Sequence, residues 1–417
     1  MTSTQVLPST APCINGRRLR RTLDELATFG DTGDGGVSRP AFSDKDIEAR
    51  QYLAAVSSDA GLQPHVDEAG NLIVRRPDAD PDRPTLLMGS HLDSVIGGGR
   101  LDGAYGVVAA LEALRVLADD KPPMRYEPVA VAFANEEGAL FPQPFWGAMA
   151  LAGTLTDAER ATDRDGRSIR QPLREAGGDL DAVDCAAWSP DEIAGYLEVH
   201  IEQGPVLEAA GVPIGVVNAI AGRTVLDIEI RGRQGHAGTT PMPLRRDAIA
   251  TAARAVLAIE AVSAERRLCE VSTVGVLSAA PNVTNVIAGD VRLTAEIRDS
   301  STPRLRAAEQ AIRADLRTIA DTTGTVIEID VPMRSEPTPT DAGLRRSIEL
   351  ASDQLGHEHI GMYSGAGHDA QIVARLAPIG MIFVPSRDGI SHAPDEDTAW
   401  EHLEAGAEVL LRAALLQ

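Results

Sequence analysis

Residues Thr85–Leu117 read TLLMGSHLDSVIGGGRLDGAYGVVAALEALRVL, and this stretch decides the fold. Thr85 to Gly89 predicts a strand leading straight into His91, and Gly106 to Leu117 predicts an apolar helix that begins just after Asp102. In the loop between them, Gly97, Gly98, Gly99 and Gly103 let the backbone fold tightly around Asp102. Pro128 to Ala134 (PVAVAFA) is a continuous apolar run of the kind buried on both faces of a sheet, and NEEG (Asn135–Gly138) follows it directly. Strand, site loop, helix, strand is the α/β pattern, in which ligands collect beyond the strand C-termini.

Working outward, Ser43 to Asp59 predicts an amphipathic helix and Asn71 to Arg75 a strand. The texture changes near Thr224. TVLDIEIRG alternates like a half-buried strand, Leu244 to Ala261 predicts a helix, and Glu270 to Leu277 and Val291 to Arg298 predict strands. Pro303 to Ala320 then predicts a helix and Val326 to Val331 a strand. That β-α-β-β-α-β order is the ferredoxin-like plan. The chain afterwards returns to a helix (Ala342 to Leu355), an apolar strand (Ile379 to Val384), a loop carrying His392 and a last helix. The fold class is therefore α/β: a split catalytic domain with a central mixed sheet, residues 1–217 and 335–417, carrying an inserted α+β lid domain over 218–334. Residues 1 to about 13 are expected to form a flexible tail.

A chain of 417 residues suggests two domains. Its 43% hydrophobic and 24% charged content is ordinary for a soluble globular protein. No run approaches a membrane span, and the N-terminal stretch has no apolar core of the signal-peptide kind. The net charge of −22, from 39 Lys+Arg against 61 Asp+Glu, argues against nucleic acid and anionic membranes as partners. Cys13, Cys185 and Cys269 are odd in number and widely spaced, so they form neither a disulfide framework nor a thiolate metal site, and a cytoplasmic location is expected.

His91, Asp102 eleven residues later, the pair Glu136–Glu137, His200 in LEVHIEQG and His392 in GISHAPDE make the ligand kit of a two-metal hydrolase. Two divalent ions ~3.5–4 Å apart need a bridging carboxylate and two or three further ligands each. We assign Asp102 as the bridge, His91 and His200 to one ion, and Glu137 and His392 to the other. Such donors suit Zn, Mn or Co. Glu136 remains free to act as general base, taking a proton from the attacking water and returning it to the leaving nitrogen. Taken singly, a His or Asp after a strand is usually a solvated loop residue, but five such positions together make a site. His65, His357, His359 and His402 read as surface residues.

The segments GSHLDSV, NEEG, EVHIEQGPVLE, GHAGTTPM, SGAGHDA and GISHAPDE resemble the M20 metallopeptidase superfamily, in its amidase/carbamoylase branch. That branch includes N-carbamoyl-L-amino acid hydrolases, allantoate and ureidoglycolate amidohydrolases and β-ureidopropionases. The likeness runs from about Asn15 to the C-terminus. It implies the same five metal ligands and the same base, with a homodimer formed through the lids and closure over the substrate. By the same resemblance, His236 (GHAGTTPM) stabilises the oxyanion, and Asn285 (NVIAG) and Arg298 (EIRD) hold the substrate's α-carboxylate. Gln203 and the turn Gly365–Gly367 match positions near the substrate. Read without that context, Arg298 would pair with Asp299 or Glu296, and His236 would be an exposed turn histidine. His368 beside Asp369 is given no role.

Three positions depart from the branch. Gly222-Arg223 stands where relatives commonly read GQ, and a cation there could meet a second acidic or strongly polar group on the substrate. Leu140 replaces an Arg after EEG, and Ala148 a Ser after the Trp-Gly pair. The expected activity is hydrolysis of the ureido C–N bond of an N-carbamoyl-L-amino acid to amino acid, CO2 and ammonia, with two divalent ions per subunit. Allantoate or ureidoglycolate hydrolysis is the alternative, and FPQPFWG (Phe141–Gly147) looks a little like allantoate enzymes. A dipeptidase would need an acidic residue for a free α-amine, whereas Asn and Arg are set for an anion. A non-catalytic binder would have no need of Glu136.

Overall fold

The computed structural model describes residues 12–417, so the expected tail lies, through residue 11, outside the described residues. The chain divides into two compact units. One comprises residues 12–218, Thr340–Met362 and Gly367–Gln417; the other comprises Ala219–Pro339 and Tyr363–Ala366.

The first unit is built on a mixed sheet. Its strands lie in the order Gln63–Val66, Leu72–Arg75, Glu127–Phe133, Thr85–His91, Ile193–Ile201, Ile379–Val384 and Ile214–Ile220. The four in the middle are parallel and their registers align, with His91 opposite Phe133 and His200 opposite Phe383. Glu127–Phe133, Thr85–His91 and Ile379–Val384 are buried at every position, as strands covered on both faces of a parallel sheet are. Because parallel strands end at one edge, His91, the NEEG turn, His200 and the loop to His392 all emerge there.

The helix Ala104–Asp120 starts earlier than its apolar run, immediately after Gly103, and buries most of its length against the sheet and the helix Trp400–Leu415. Gly103 has φ 62°, and a Cβ there would lie 2.4 Å from the His91 ring. Only glycine lets the chain turn from Asp102 into the helix so close to that ring.

Two buried arginines fix the strand ends. Arg50 pairs with Asp46 at 3.0 Å and donates to the carbonyls of Gly70, Ala132 and Phe133, which closes the strand just before NEEG. Arg39 donates to the carbonyls of Leu26, Phe29 and Leu92, holding the loop after His91.

In the second unit the strands Val326–Ser335, Gly222–Arg231, Asp290–Asp299 and Val271–Ala280 form an antiparallel sheet in that spatial order. With the helices Ala248–Ala264 and Thr302–Thr323 they follow the order β-α-β-β-α-β. One sheet face packs Leu226, Ile228, Ile230, Leu293 and Ile297 under the helices, while Arg223, Glu296 and Arg298 lie on the other. The first of those helices begins at Ala248 and not at Leu244. Pro243 sits in a separate turn, and the Asp247 carboxylate caps the amides of Ile249 and Ala250. The unit extends to Pro339, past the expected end at 334, which its last strand Val326–Ser335 overruns. Among the described residues no helix is long and apolar enough to cross a membrane.

Arg50→Met should leave the buried Asp46 charge without its guanidinium partner and remove a donor from three carbonyls. We expect a loss of about 3–5 kcal/mol in urea denaturation; a change below about 1 kcal/mol would contradict the anchoring role.

Candidate metal centre and active site

Asp102 stands at the middle of the cluster. Its Oδ1 lies 3.3 Å from His91 Nε2 and 3.2 Å from His200 Nε2, and its Oδ2 lies 3.1 Å from His392 Nε2. His392 Nε2 is in turn 3.3 Å from Glu137 Oε1. The candidate ligand atoms thus fall into the groups His91, Asp102, His200 and Asp102, Glu137, His392, each with its atoms within 4.8 Å of one another. The two groups share only Asp102, one oxygen facing each.

The histidines are oriented from behind. His91 Nδ1 donates to the Asp93 carbonyl at 2.9 Å and His200 Nδ1 to the Ile201 carbonyl at 2.8 Å. That tautomer leaves each Nε2 lone pair facing Asp102. The Gly103 amide donates to His200 Nε2 at 3.0 Å, which agrees.

Burial pushes the Asp102 carboxyl up, but the imidazoles of His200, His392 and His91 crowded on its two oxygens outweigh it and hold the group well below the usual carboxylate range. The Asp102 and Glu137 carboxylates push His392 up to about 10. Burial drives Glu136 well above its ordinary value, with Asp369, Glu137 and Asp93 adding repulsion to an attraction from His91. So many buried carboxylates around three histidines call for positive charge. Glu137 Oε1 is buried and makes no hydrogen bond, with the His392 ring nitrogen 3.3 Å away. Imidazole and carboxylate, with no thiolate, suit divalent cations of the Zn, Mn or Co kind, so the residues present fit such ions.

Glu136 Oε2 approaches His91 Nε2 at 3.9 Å and shares a further group of potential ligands with His91 and Glu137. The Glu136 and Glu137 amides donate to the two oxygens of Asp93, at 3.1 and 3.2 Å. Asn135, at φ 54°, donates to the carbonyls of Phe141 and Gln143 and completes the turn.

Several residues that hold the site escape the sequence reading. Glu396 is buried; its Oε1 accepts the amides of Leu101 and Asp102 at 2.8 and 3.0 Å, and its Oε2 accepts the Ser391 hydroxyl at 2.8 Å. Ser391 also reaches Asp102 Oδ2 at 2.9 Å. Asp93 and Glu396 lie within HLDSV and GISHAPDE, so their loops were in view, but nothing in a linear sequence says which way a loop carboxylate points. Gln203, expected near the substrate, donates to Asp102 Oδ2 at 2.7 Å; it has φ 59°, and its Oε1 is buried without a hydrogen bond. His368 is buried with its ring 4.8 Å from that of His200, and burial holds it well below its ordinary pKa, hence neutral.

The remaining expected residues lie elsewhere in the chain. Gly367 belongs to the first unit, where a Cβ would meet Phe145 at 2.9 Å. In the second unit, His236 is exposed and pairs with Val286, and the Ala237 amide donates to the Asn285 carbonyl, tying those two segments together. Arg298 pairs with Glu296 and donates to the Gly365 carbonyl; Asp299 is buried and taken by Arg304. Arg223 lies directly opposite Arg298 on the neighbouring strand. Leu140 packs on the apolar cluster that contains Phe42, Phe141 and Trp146, and Ala148 is fully buried. Within FPQPFWG, Phe141 and Trp146 are buried with Phe42 edge-on to both, while Pro142 and Pro144 are exposed and Phe145 lies beside Gly367.

Residues 87–416 match the family described as Peptidase family M20/M25/M40, and the chain belongs to that family. It is 39% identical over 398 residues to an N-carbamoyl-L-amino acid amidohydrolase of Geobacillus stearothermophilus, spanning 95% of this chain and 97% of the relative. It is 36% identical over 394 residues to an allantoate amidohydrolase of Bacillus subtilis (strain 168), spanning 93% and 94%. Among solved structures, an amidase of the hydantoinase/carbamoylase family from Burkholderia multivorans superposes with a TM-score of 0.91 at 36% identity, over 98% of each chain.

Glu396→Ala should release the Asp102 loop and Ser391 together. Metal affinity, measured by competition with a chromophoric chelator, should fall by about 10–100-fold. Unchanged affinity would show that Glu396 does not position Asp102.

Proposed function

We propose that the chain is a metal-dependent amidohydrolase that uses two divalent ions to hydrolyse the ureido C–N bond of an N-carbamoyl-L-amino acid to amino acid, CO2 and ammonia. The observation that carries this is the sharing of Asp102 between two groups of ligands. Full-length similarity to named amidohydrolases supports the reaction class, a hydrolase of non-peptide C–N bonds. Both carbamoyl amino acid and allantoate enzymes stand among those relatives, so the substrate is our inference. It favours the carbamoyl amino acid because two enzymes of that name match at 39% and 37% identity, against 36% for the allantoate enzymes.

In this account His91 and His200 would hold one ion and Glu137 and His392 the other, with Asp102 shared between them. Bound Zn2+ or Mn2+ (Co2+ is a third option) supplies a polarised carbonyl and a water acidic enough to attack at neutral pH. Glu136 would take the attacking water's proton as the new C–O bond forms and deliver it to the amino acid's nitrogen as the C–N bond breaks, and the carbamic acid released would break down to CO2 and ammonia. Its placement beside His91, on a turn held by Asp93, suits a base that must reach the reacting water without being a ligand. Gln203 and Gly367 contact the substrate, His236 stabilises the oxyanion, and Asn285 and Arg298 hold the α-carboxylate, an anion well matched by a guanidinium with an amide.

The second unit would act as lid and dimerisation domain. Val271–Ala280 is an edge strand with Val271, Val276 and Leu277 exposed, an open hydrogen-bonding edge suited to a second copy. Three free cysteines are consistent with a cytoplasmic enzyme.

The reaction is tested by reloading stripped protein with Mn2+ or Zn2+ and identifying the carbon product from N-carbamoyl-L-amino acids, allantoate and ureidoglycolate. Release of a free amino acid is expected; turnover of allantoate alone would move the enzyme to purine breakdown, and cleavage of dipeptides alone would refute the ureido reading. Glu136→Gln should bind metal normally and lose about 10²–10⁴-fold in kcat; near-normal turnover would remove it as the base. Val276→Lys with Leu277→Lys should convert a dimer to monomer in sedimentation experiments, and a dimer that persists would place the interface elsewhere.

A further inference from the structure

We propose that Arg223 is a specificity residue that selects ureido substrates carrying a second carboxylate, the N-carbamoyl derivatives of acidic amino acids. The inference rests on the function proposed above and on the role given there to Arg298.

The strand registers set Arg223 and Arg298 directly opposite each other, on the open face of the second unit's sheet. Like charges at opposed positions disfavour pairing, so the sheet itself gains nothing from a second arginine there. Both guanidinium groups reach the same carboxylate, Glu296, but unequally. Arg298 is held firmly, with Nε 2.5 Å from Glu296 Oε1 and Nη1 on the Gly365 carbonyl. Arg223 is held loosely, with Nη1 3.4 Å from Glu296 Oε2 and Nε against the thioether of Met333. A thioether is a weak acceptor, and a guanidinium carries five donors.

Glu296 therefore belongs to Arg298 and orients it, while Arg223 keeps donors to spare at a side chain 38% exposed. Directly opposed residues have Cβ atoms about 4.5–5.5 Å apart. Two guanidinium groups rooted that close suit a ligand whose two carboxylates are separated by a few carbons, as in a carbamoyl aspartate or glutamate. A neutral side chain would leave the Arg223 donors unused. The glutamine common at this position in the resembled branch offers one amide and no charge, so the preference belongs to this chain.

The test compares kcat/KM of the metal-loaded full chain, wild type and Arg223→Gln, on N-carbamoyl-L-aspartate, -glutamate, -methionine and -valine. Wild type should favour the acidic pair by at least about tenfold, the factor that ~1.4 kcal/mol represents. Arg223→Gln should cut the acidic-to-neutral ratio by a similar factor, chiefly through KM on the acidic substrates. Equal losses on all four would make Arg223 a positioning residue for Glu296 and Arg298, and would overturn the proposal. Turnover of the neutral substrates with poor use of the acidic ones would overturn it while leaving the proposed function standing. Failure to hydrolyse any ureido substrate would overturn that function and this inference with it.

Discussion

Asp102 is a carboxylate in a position that only cations can make tolerable. It is buried, three imidazoles converge on its two oxygens, and its loop is clamped by Glu396 through two backbone amides. An isolated charge at such depth would cost several kcal/mol. The rest of the first unit can be read as the apparatus that brings compensating groups to this point. Parallel strands end in register, so His91 and His200 arrive from adjacent strands, Glu136 and Glu137 from a third and His392 from the loop after a fourth. Arg50 and Arg39 bind the carbonyls where those strands stop, which spares the loops from having to fix themselves.

The division of labour among the acids follows from the same geometry. Asp93 spends both oxygens on the Glu136 and Glu137 amides, Glu396 on the Asp102 loop and Ser391, and Glu198 on Ser90 and the Ala370 amide. Their carboxylates are committed to hydrogen bonds within the protein. Glu137 and Glu136 face inward with fewer obligations, and those are the two to which ligand and base are given. The second unit carries Arg223, Glu296 and Arg298 together on the sheet face opposite its helices.

The fold was largely legible because its strongest signals are local. PVAVAFA and the LLMG of TLLMGSH are short apolar runs that form buried strands, and Glu136–Glu137 and His91 stand just beyond them. The β-α-β-β-α-β order is equally plain, except where Pro243 and the Asp247 cap shift a helix start. What the sequence hides are facts of direction and register. Glu396 and Ser391 stand next to a predicted ligand, yet their aim at Asp102 depends on how two distant loops meet. Arg223 and Arg298 are far apart in the chain and become neighbours only once the strand pairing is known. In FPQPFWG, Phe141 and Trp146 pack into an apolar cluster, a use that its likeness to allantoate enzymes neither required nor excluded.

The central claim is that Asp102 bridges two ions, and it is tested most directly by titrating the stripped protein with Mn2+ and recording its electron paramagnetic resonance spectrum. The account predicts saturation at two ions per chain with the spectrum of an exchange-coupled pair, and loss of that coupling in Asp102→Ala. A single uncoupled ion at saturation, or two ions with independent spectra, would contradict it.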